Sequence, residues 1–369
     1  MHPATKALLL LALAASGTVA PGAVRAQACA FAAVQSRFEA LLQAQGLPGG
    51  AVQVGDSQGV YYEQYFGTYG PATVVPIASA SKLLSAVRIL QLIDRGALDG
   101  DAPVSSYLPQ FVGEKGTMSV QQMFAHTAGY GDDSGDPLVF DRGITLEQAV
   151  DEIACCRPLN PGYGVGDQFS YGGVSMHIGG RVAEVVGGED WQAGWIARIG
   201  APLGISSIDW QGLGATSNYG IAGSARSSLR DYGKVLHMLL NRGRGNNQRI
   251  LGSAVVGRLR VDAVGDLPIA YAPPGVTPPV RYGVGSWLDG LGGAPQPGFV
   301  HSLGAFGFMP WVDFDRRLYG VFMIRGGPGI NFAAIPAYRD MLQAIDAELA
   351  GGACARIERF DEVLVDDME

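Results

Sequence analysis

Ser79 and Lys82 stand three residues apart in the tetrapeptide Ser79-Ala80-Ser81-Lys82. A serine hydroxyl is a weak nucleophile until a neighbouring base takes its proton, and a lysine can act as that base when burial lowers its pKa. On a helix, positions i and i+3 share a face with Cβ atoms about 5–6 Å apart, so the amine reaches the hydroxyl. Ile77-Ala78 precedes the serine at what reads as a helix start. Free N–H groups and the positive dipole end there favour a developing oxyanion. The chemistry implied is acyl transfer through a serine ester. Alone, the four residues more often describe a serine N-cap with an exposed lysine one turn later, so the rest of the chain must decide.

The elements that position this pair follow from hydrophobic periodicity. Residues 80–95 predict a helix, with Leu83, Leu84, Val87, Leu90 and Leu92 as its buried stripe and Gly96 as its stop. Before it lie a helix over 30–46 and two strands, 51–54 and 60–66, joined through Asp56-Ser57-Gln58-Gly59 as a hairpin. Residues 97–280 are punctuated by Gly and Pro, with helical patterns at 145–154, 174–186 and 228–242. The four prolines of 272–279 mark a connection between lobes. Strand character returns at 282–287, 298–302, 306–314 and 318–324, and a last helix covers 332–349. Segregated strands and helices indicate α+β. The expected architecture is one antiparallel sheet built from both chain ends, flanked by the terminal helices, with a mainly helical inserted lobe. Its α/β lobe takes about 29–78 and 280–350, its helical lobe about 79–279.

Several further stretches occur in a telling order. They are Leu98-Asp99-Gly100-Asp101-Ala102-Pro103-Val104, Phe124-Ala125-His126-Thr127-Ala128-Gly129, Pro202-Leu203-Gly204 and Ala222-Gly223-Ser224-Ala225-Arg226-Ser227. With Ser79-x-x-Lys82, they resemble the serine β-lactamase and penicillin-binding superfamily over roughly residues 33–348. The branch is the one holding class C β-lactamases and family VIII carboxylesterases.

The resemblance implies a β-lactamase/transpeptidase-like fold and a tyrosine partner, which Gln168-Phe169-Ser170-Tyr171-Gly172-Gly173 supplies. A phenol titrates near 10 in water, so Tyr171 acts as a base only beside a cation such as Lys82. Tyr163, in a Pro-Gly turn, is the nearby decoy. The family pattern is Tyr-x-Asn, and here Gly173 takes the third place. The resemblance also implies a cleft-lining strand, best matched by Ser302-Leu303-Gly304 with His301 before and Ala305 after. It places an oxyanion hole on the N–H groups of Ser79 and Ala305. The lysine of that strand in β-lactamases is missing, and His301 or Ser302 stands in its place.

Other hydrolase schemes fit poorly. The nearest string to Gly-x-Ser-x-Gly is Gly173-Val174-Ser175-Met176-His177, which ends in histidine. His126 and His177 invite a Ser-His-Asp scheme but read as a landmark and a helix residue. Trp287, Trp311, Phe306 and Phe308 read as strand core, with some of them available to an apolar acyl pocket. No metal or organic cofactor is needed: there is no Cys-x-x-Cys pair and no histidine cluster. The substrate expected is a small-molecule ester, because the Asn and Lys that serve β-lactams are absent. Amide or D-peptide hydrolysis, β-lactam hydrolysis and a non-catalytic penicillin-binding-like envelope protein are the alternatives.

The 369 residues are 47% hydrophobic and 16% charged, enough apolar material for a large core. Lys6, the apolar run 7–15 and Ala26-Gln27-Ala28 predict a signal peptide over 1–28 and a periplasmic or secreted protein. Cleavage there leaves Cys29 first, which raises lipidation as an alternative. It also removes Lys6 and Arg25 and no acid, taking the net charge from −8 to −10. An acidic chain with no Lys/Arg cluster has no footprint for nucleic acid. No other apolar run is long enough to cross a bilayer. Cys29, Cys155, Cys156 and Cys354 are compatible with disulfides, with three pairings open.

Overall fold

The computed structural model describes residues 27–131, 136–352 and 354–360. The expected signal segment lies outside them except for Gln27–Ala28, which pairs in parallel with Cys354–Ala355.

The central sheet has six antiparallel strands in the order Phe299–His301, Met309–Asp313, Leu318–Met323, Gly49–Asp56, Gly59–Gly67 and Glu358–Arg359. The chain ends meet at its middle, where Leu318 pairs with Asp56 and Met323 with Ala51. Both faces are covered, which is why these strands read as nearly continuous apolar runs. Val52, Val54, Met309, Trp311 and Phe322 face the terminal helices Ala32–Ala44 and Ile330–Leu349. Their neighbours Ala51, Val312, Tyr319 and Val321 join the core of the helical interior. This period of two is what the pleat requires.

Helix Leu229–Leu240 lies on that second face. A Cβ on its Gly233 would stand 1.9 Å from Gln53 Oε1, so the helix rides close to the sheet. Helix Ser81–Asp94 runs beneath, with its residues 81–92 all buried. It is surrounded by Val174–Gly187, which follows Tyr171, and by Ser253–Gly257.

Three expected strands change. Residues 282–287 form only bridges, Tyr282 to Trp287 and Trp287 to His301. Gly285 explains this: at φ 73 it passes so near the Lys82 carbonyl that a Cβ would be 2.7 Å away. Residues 306–314 begin regular pairing only at Met309, after the Gly307 turn at φ 95. The 298–302 strand is trimmed to Phe299–His301. The cysteines pair as Cys29–Cys354 and Cys155–Cys156.

Phe38 shows what holds the outer layer. It is fully buried, packs 5.0 Å from Phe66, and fills the space over Gly50. Phe38→Ala is expected to cost about 3–5 kcal/mol, seen as a lower denaturation midpoint in urea at unchanged slope.

Candidate active site

Ser79 sits in a single 3-10 turn, Ala78–Ala80, immediately before helix Ser81–Asp94. Ala78 adopts φ 47, a left-handed conformation that an alanine avoids by about 1–2 kcal/mol. The strain is held by bonds on both sides. Ser81 Oγ donates to the Ala78 carbonyl (2.6 Å) and accepts the Ala225 N–H (3.0 Å). Tyr232 OH donates to the Ala80 carbonyl at 2.7 Å, and the Ile77 N–H donates to the Ala225 carbonyl at 3.0 Å.

At the second residue of that helix, Lys82 is buried at 4% exposure. Its Nζ donates to Ser79 Oγ (3.1 Å) and to the Ala222 carbonyl (3.1 Å). It also stands 4.5 Å from the centroid of the Tyr171 ring. The segment 221–227, of which 222–227 is singled out in sequence only by resemblance, is thus the clamp for both residues. Ser85 Oγ adds a bond to its Ile221 carbonyl at 2.7 Å.

Tyr171 is partly exposed and follows strand Phe169–Ser170, with its N–H donating to the Tyr271 carbonyl at 3.0 Å. Its ring stacks on Trp287 at 5.2 Å and lies 4.6 Å from His126. His126 accepts the Gly172 N–H through Nδ1 at 3.4 Å. Burial, reinforced by the Lys82 charge, pushes its pKa well down, so it is a neutral wedge beside the phenol. Burial drives the adjacent Tyr282 phenol far above its ordinary range, which leaves Tyr171 the accessible tyrosine of the group. His177 bonds to Asn218 at 2.7 Å and is fully buried, away from Ser79. Tyr163 lies exposed in its turn.

The segment that continues from His301 alternates in purpose. Ser302 Oγ donates to the Ser79 carbonyl at 2.8 Å. A Cβ on Gly304 would be 2.0 Å from the Ile77 carbonyl. Ser302 and Gly304 therefore face the Ser79 turn, while His301, Leu303 and Ala305 face a cleft of about 430 Å³. Ser79, Lys82, Tyr171, Gly173 and Trp287 line the same cleft. Trp311 and Phe308 are core, as expected, and Phe306 lines the cleft. Ser79 and Lys82 already have the separation that proton transfer needs.

Part of the wall had no signal in the sequence. Pro273, Pro274 and Val276, expected as a mere connection, line the cleft. Val139, Phe140, Leu213, Asn331 and Phe332 join them from two helices and a loop. No local pattern marks such residues, because only chain crossings bring them together.

The sequence profile of the Beta-lactamase family matches residues 34–345, most of the chain. The protein belongs to the β-lactamase family. Penicillin-binding protein 4 of Amycolatopsis lactamdurans is 27% identical over 182 residues, 46% of this chain and 47% of that one. Esterase EstB of Burkholderia gladioli is 30% identical over 150 residues, 36% of this chain and 37% of the relative. The matches thus span less than half the length of either relative. A crystal structure of a Bacteroides dorei protein, provisionally described as a β-lactamase, superposes with TM-score 0.70 at 29% identity. That match covers 81% of this chain and 92% of the other. Within this β-lactamase-family fold, the Ala222 carbonyl holds Lys82.

His177 gives the site's supporting helix a pH dependence. Burial pushes its imidazole from 6.5 down to about 4, outweighing the Asn218 hydrogen bond. Below pH 6.5 the unfolded chain therefore takes up a proton that the folded chain refuses. This contribution is fully present above about pH 6.5 and is lost as pH falls towards 4, about 3 kcal/mol in all. Urea titrations at pH 7 and pH 4.5 should show wild type losing more stability than His177→Gln.

Proposed function

We propose that the protein is an exported serine hydrolase that cleaves carboxylic esters through an acyl-enzyme on Ser79. The observation that carries the reading is Lys82 Nζ, 3.1 Å from Ser79 Oγ and over the Tyr171 ring at the wall of an apolar cleft. Tyr171 and Lys82 act as one coupled base, taking the Ser79 proton as Oγ attacks the ester carbonyl. The N–H groups of Ser79 and Ala305 receive the oxyanion. Among the described residues, the Ala305 N–H takes part in none of the backbone hydrogen bonds of its turn, which leaves it for that use. The alcohol departs with the proton, and water then releases the acid.

Esters are favoured by what the cleft offers a substrate. Among the described residues lining it, Lys82 is the only lysine or arginine, and it is already bonded at the nucleophile. Gly173 presents no amide side chain, and the Ser302 hydroxyl is turned to the Ser79 carbonyl. A substrate carboxylate therefore meets no cation of its own. Leu213, Val276, Leu303, Phe306 and Phe332 offer apolar surface to an acyl or alcohol chain.

The paired cysteines and the signal-like start support a periplasmic or secreted location. With its sulfur joined to Cys354, Cys29 has no thiol to offer a lipid anchor.

Intact-mass spectrometry after a fluorophosphonate probe should show one adduct, mapped to Ser79 and absent in Ser79→Ala. Short-chain p-nitrophenyl esters should be turned over, ahead of a chromogenic cephalosporin and a D-alanyl p-nitroanilide. Ser79→Ala with undiminished ester turnover would overturn the mechanism. Tyr171→Phe is expected to lower kcat by roughly 10²–10⁴-fold. Gly304→Ala must part the strand from the Ser79 turn and should lower kcat/KM by about 10²-fold.

A further inference from the structure

Among the described residues that line the cleft, the exposed ones are Phe140, Leu213, Pro274, Gly275 and Pro328, and none has a polar side chain. Phe140 and Leu213 are 43% and 40% exposed. Val139, beside Phe140 in the same short helix, is 4% exposed and belongs to the core. Single exposed apolar side chains are ordinary on a soluble protein, but several on the rim of one cavity mark a surface that binds something apolar.

The backbone beneath the two large rim residues is tied down. Asn218 Nδ2 donates to the Leu138 and Asp141 carbonyls, each at 2.8 Å, and so brackets the end of helix Pro137–Phe140. Asn218 Oδ1 in turn accepts from the buried His177 Nε2 at 2.7 Å. Arg142 Nη1 donates to the Leu213 carbonyl at 3.1 Å, which joins the segment of Phe140 to that of Leu213. An apolar surface fixed in advance costs less to bind than one that must be ordered on contact.

We propose that Phe140 and Leu213 form an apolar lip that holds the outer part of a long hydrocarbon chain of the substrate, its ester group lying at Ser79. The inference rests on the ester reading above and names the class of ester: long-chain in preference to short-chain. Such a chain meets Leu303, Phe306 and Phe332 within the cleft and the lip at its rim. Each further methylene laid on the lip leaves water, so kcat/KM should go on rising with chain length beyond the short esters. A charged chain end gains nothing there, since the exposed lining residues carry no charge. Phe140 and Leu213 are specificity residues in this scheme and take no part in proton transfer at Ser79.

The test reads ratios of kcat/KM on one enzyme preparation, so the folded fraction cancels. One arm sets p-nitrophenyl butyrate against the decanoate below its micelle concentration, lengthening the acyl side. The other sets butyl acetate against decyl acetate, lengthening the alcohol side. In at least one arm the long ester is expected to be favoured roughly tenfold or more. That ratio should fall at least about fivefold in the double variant Phe140→Ser/Leu213→Ser. Long esters no better than short ones in both arms overturn the lip and leave the ester reading standing. A ratio unchanged in the double variant also overturns the lip. A dimer in sedimentation velocity that the double variant dissociates assigns the rim to a second copy of the chain and overturns it as well. No turnover of any ester overturns the ester reading and the lip with it.

Discussion

The approach of Gly304 to the Ile77 carbonyl joins the sheet to the turn that carries Ser79, and most of the candidate site depends on it. A Cβ would stand 2.0 Å from that carbonyl oxygen, closer than any side chain tolerates. Because the backbones come so near, Ser302 Oγ reaches the Ser79 carbonyl and Ala305 arrives on the cleft wall. On the opposite side, segment 221–227 binds the same turn through Ser81, Ile77 and Lys82. The left-handed Ala78 is tolerable because it is fixed from both sides.

Around this clamp the protein controls charge by burial. Beside Lys82 and Ser79 the neighbouring groups are kept neutral: His126 by desolvation and the nearby lysine, Tyr282 by desolvation above all. Phe169, Tyr171, Tyr282 and Trp287 pack about His126 with ring centroids 4.6–6.1 Å apart. Such a packed aromatic set holds the Tyr171 ring without placing a second charge beside it. At the far wall Asp289 Oδ1 lies 3.2 Å from His301 Nε2, and this bond fixes the orientation of the imidazole ring.

Much of the fold is legible in the order of residues. The apolar stripe of Leu83, Leu84, Val87 and Leu90 announces the helix that follows Ser79, and the hairpin at Asp56–Gly59 is marked by its turn residues. Regular elements declare themselves because their hydrophobic period is local. The strand expected at 282–287 fails for a tertiary reason. Gly283 and Gly285 let the chain wrap closely over other backbone, including the Lys82 carbonyl, and that outweighs the β character of its neighbours.

The sequence by itself determined the family, the α+β order, and the nearness of Ser79 to Lys82, since a single helical turn, 3-10 at Ala78–Ala80 and α from Ser81, spans the step from one to the other. It also nominated Tyr171, by a landmark more than by physics. Tertiary structure alone decided that the Ala222 carbonyl holds Lys82 and that Ser302 faces the Ser79 turn while His301 faces the cleft. It alone brought Asn331 and the 273–276 loop to the same wall. These outcomes depend on strand register and on contacts between residues distant in sequence. A shift of one residue in the strand exchanges the two faces, and no local pattern around His301 and Ser302 specifies which face meets the cleft.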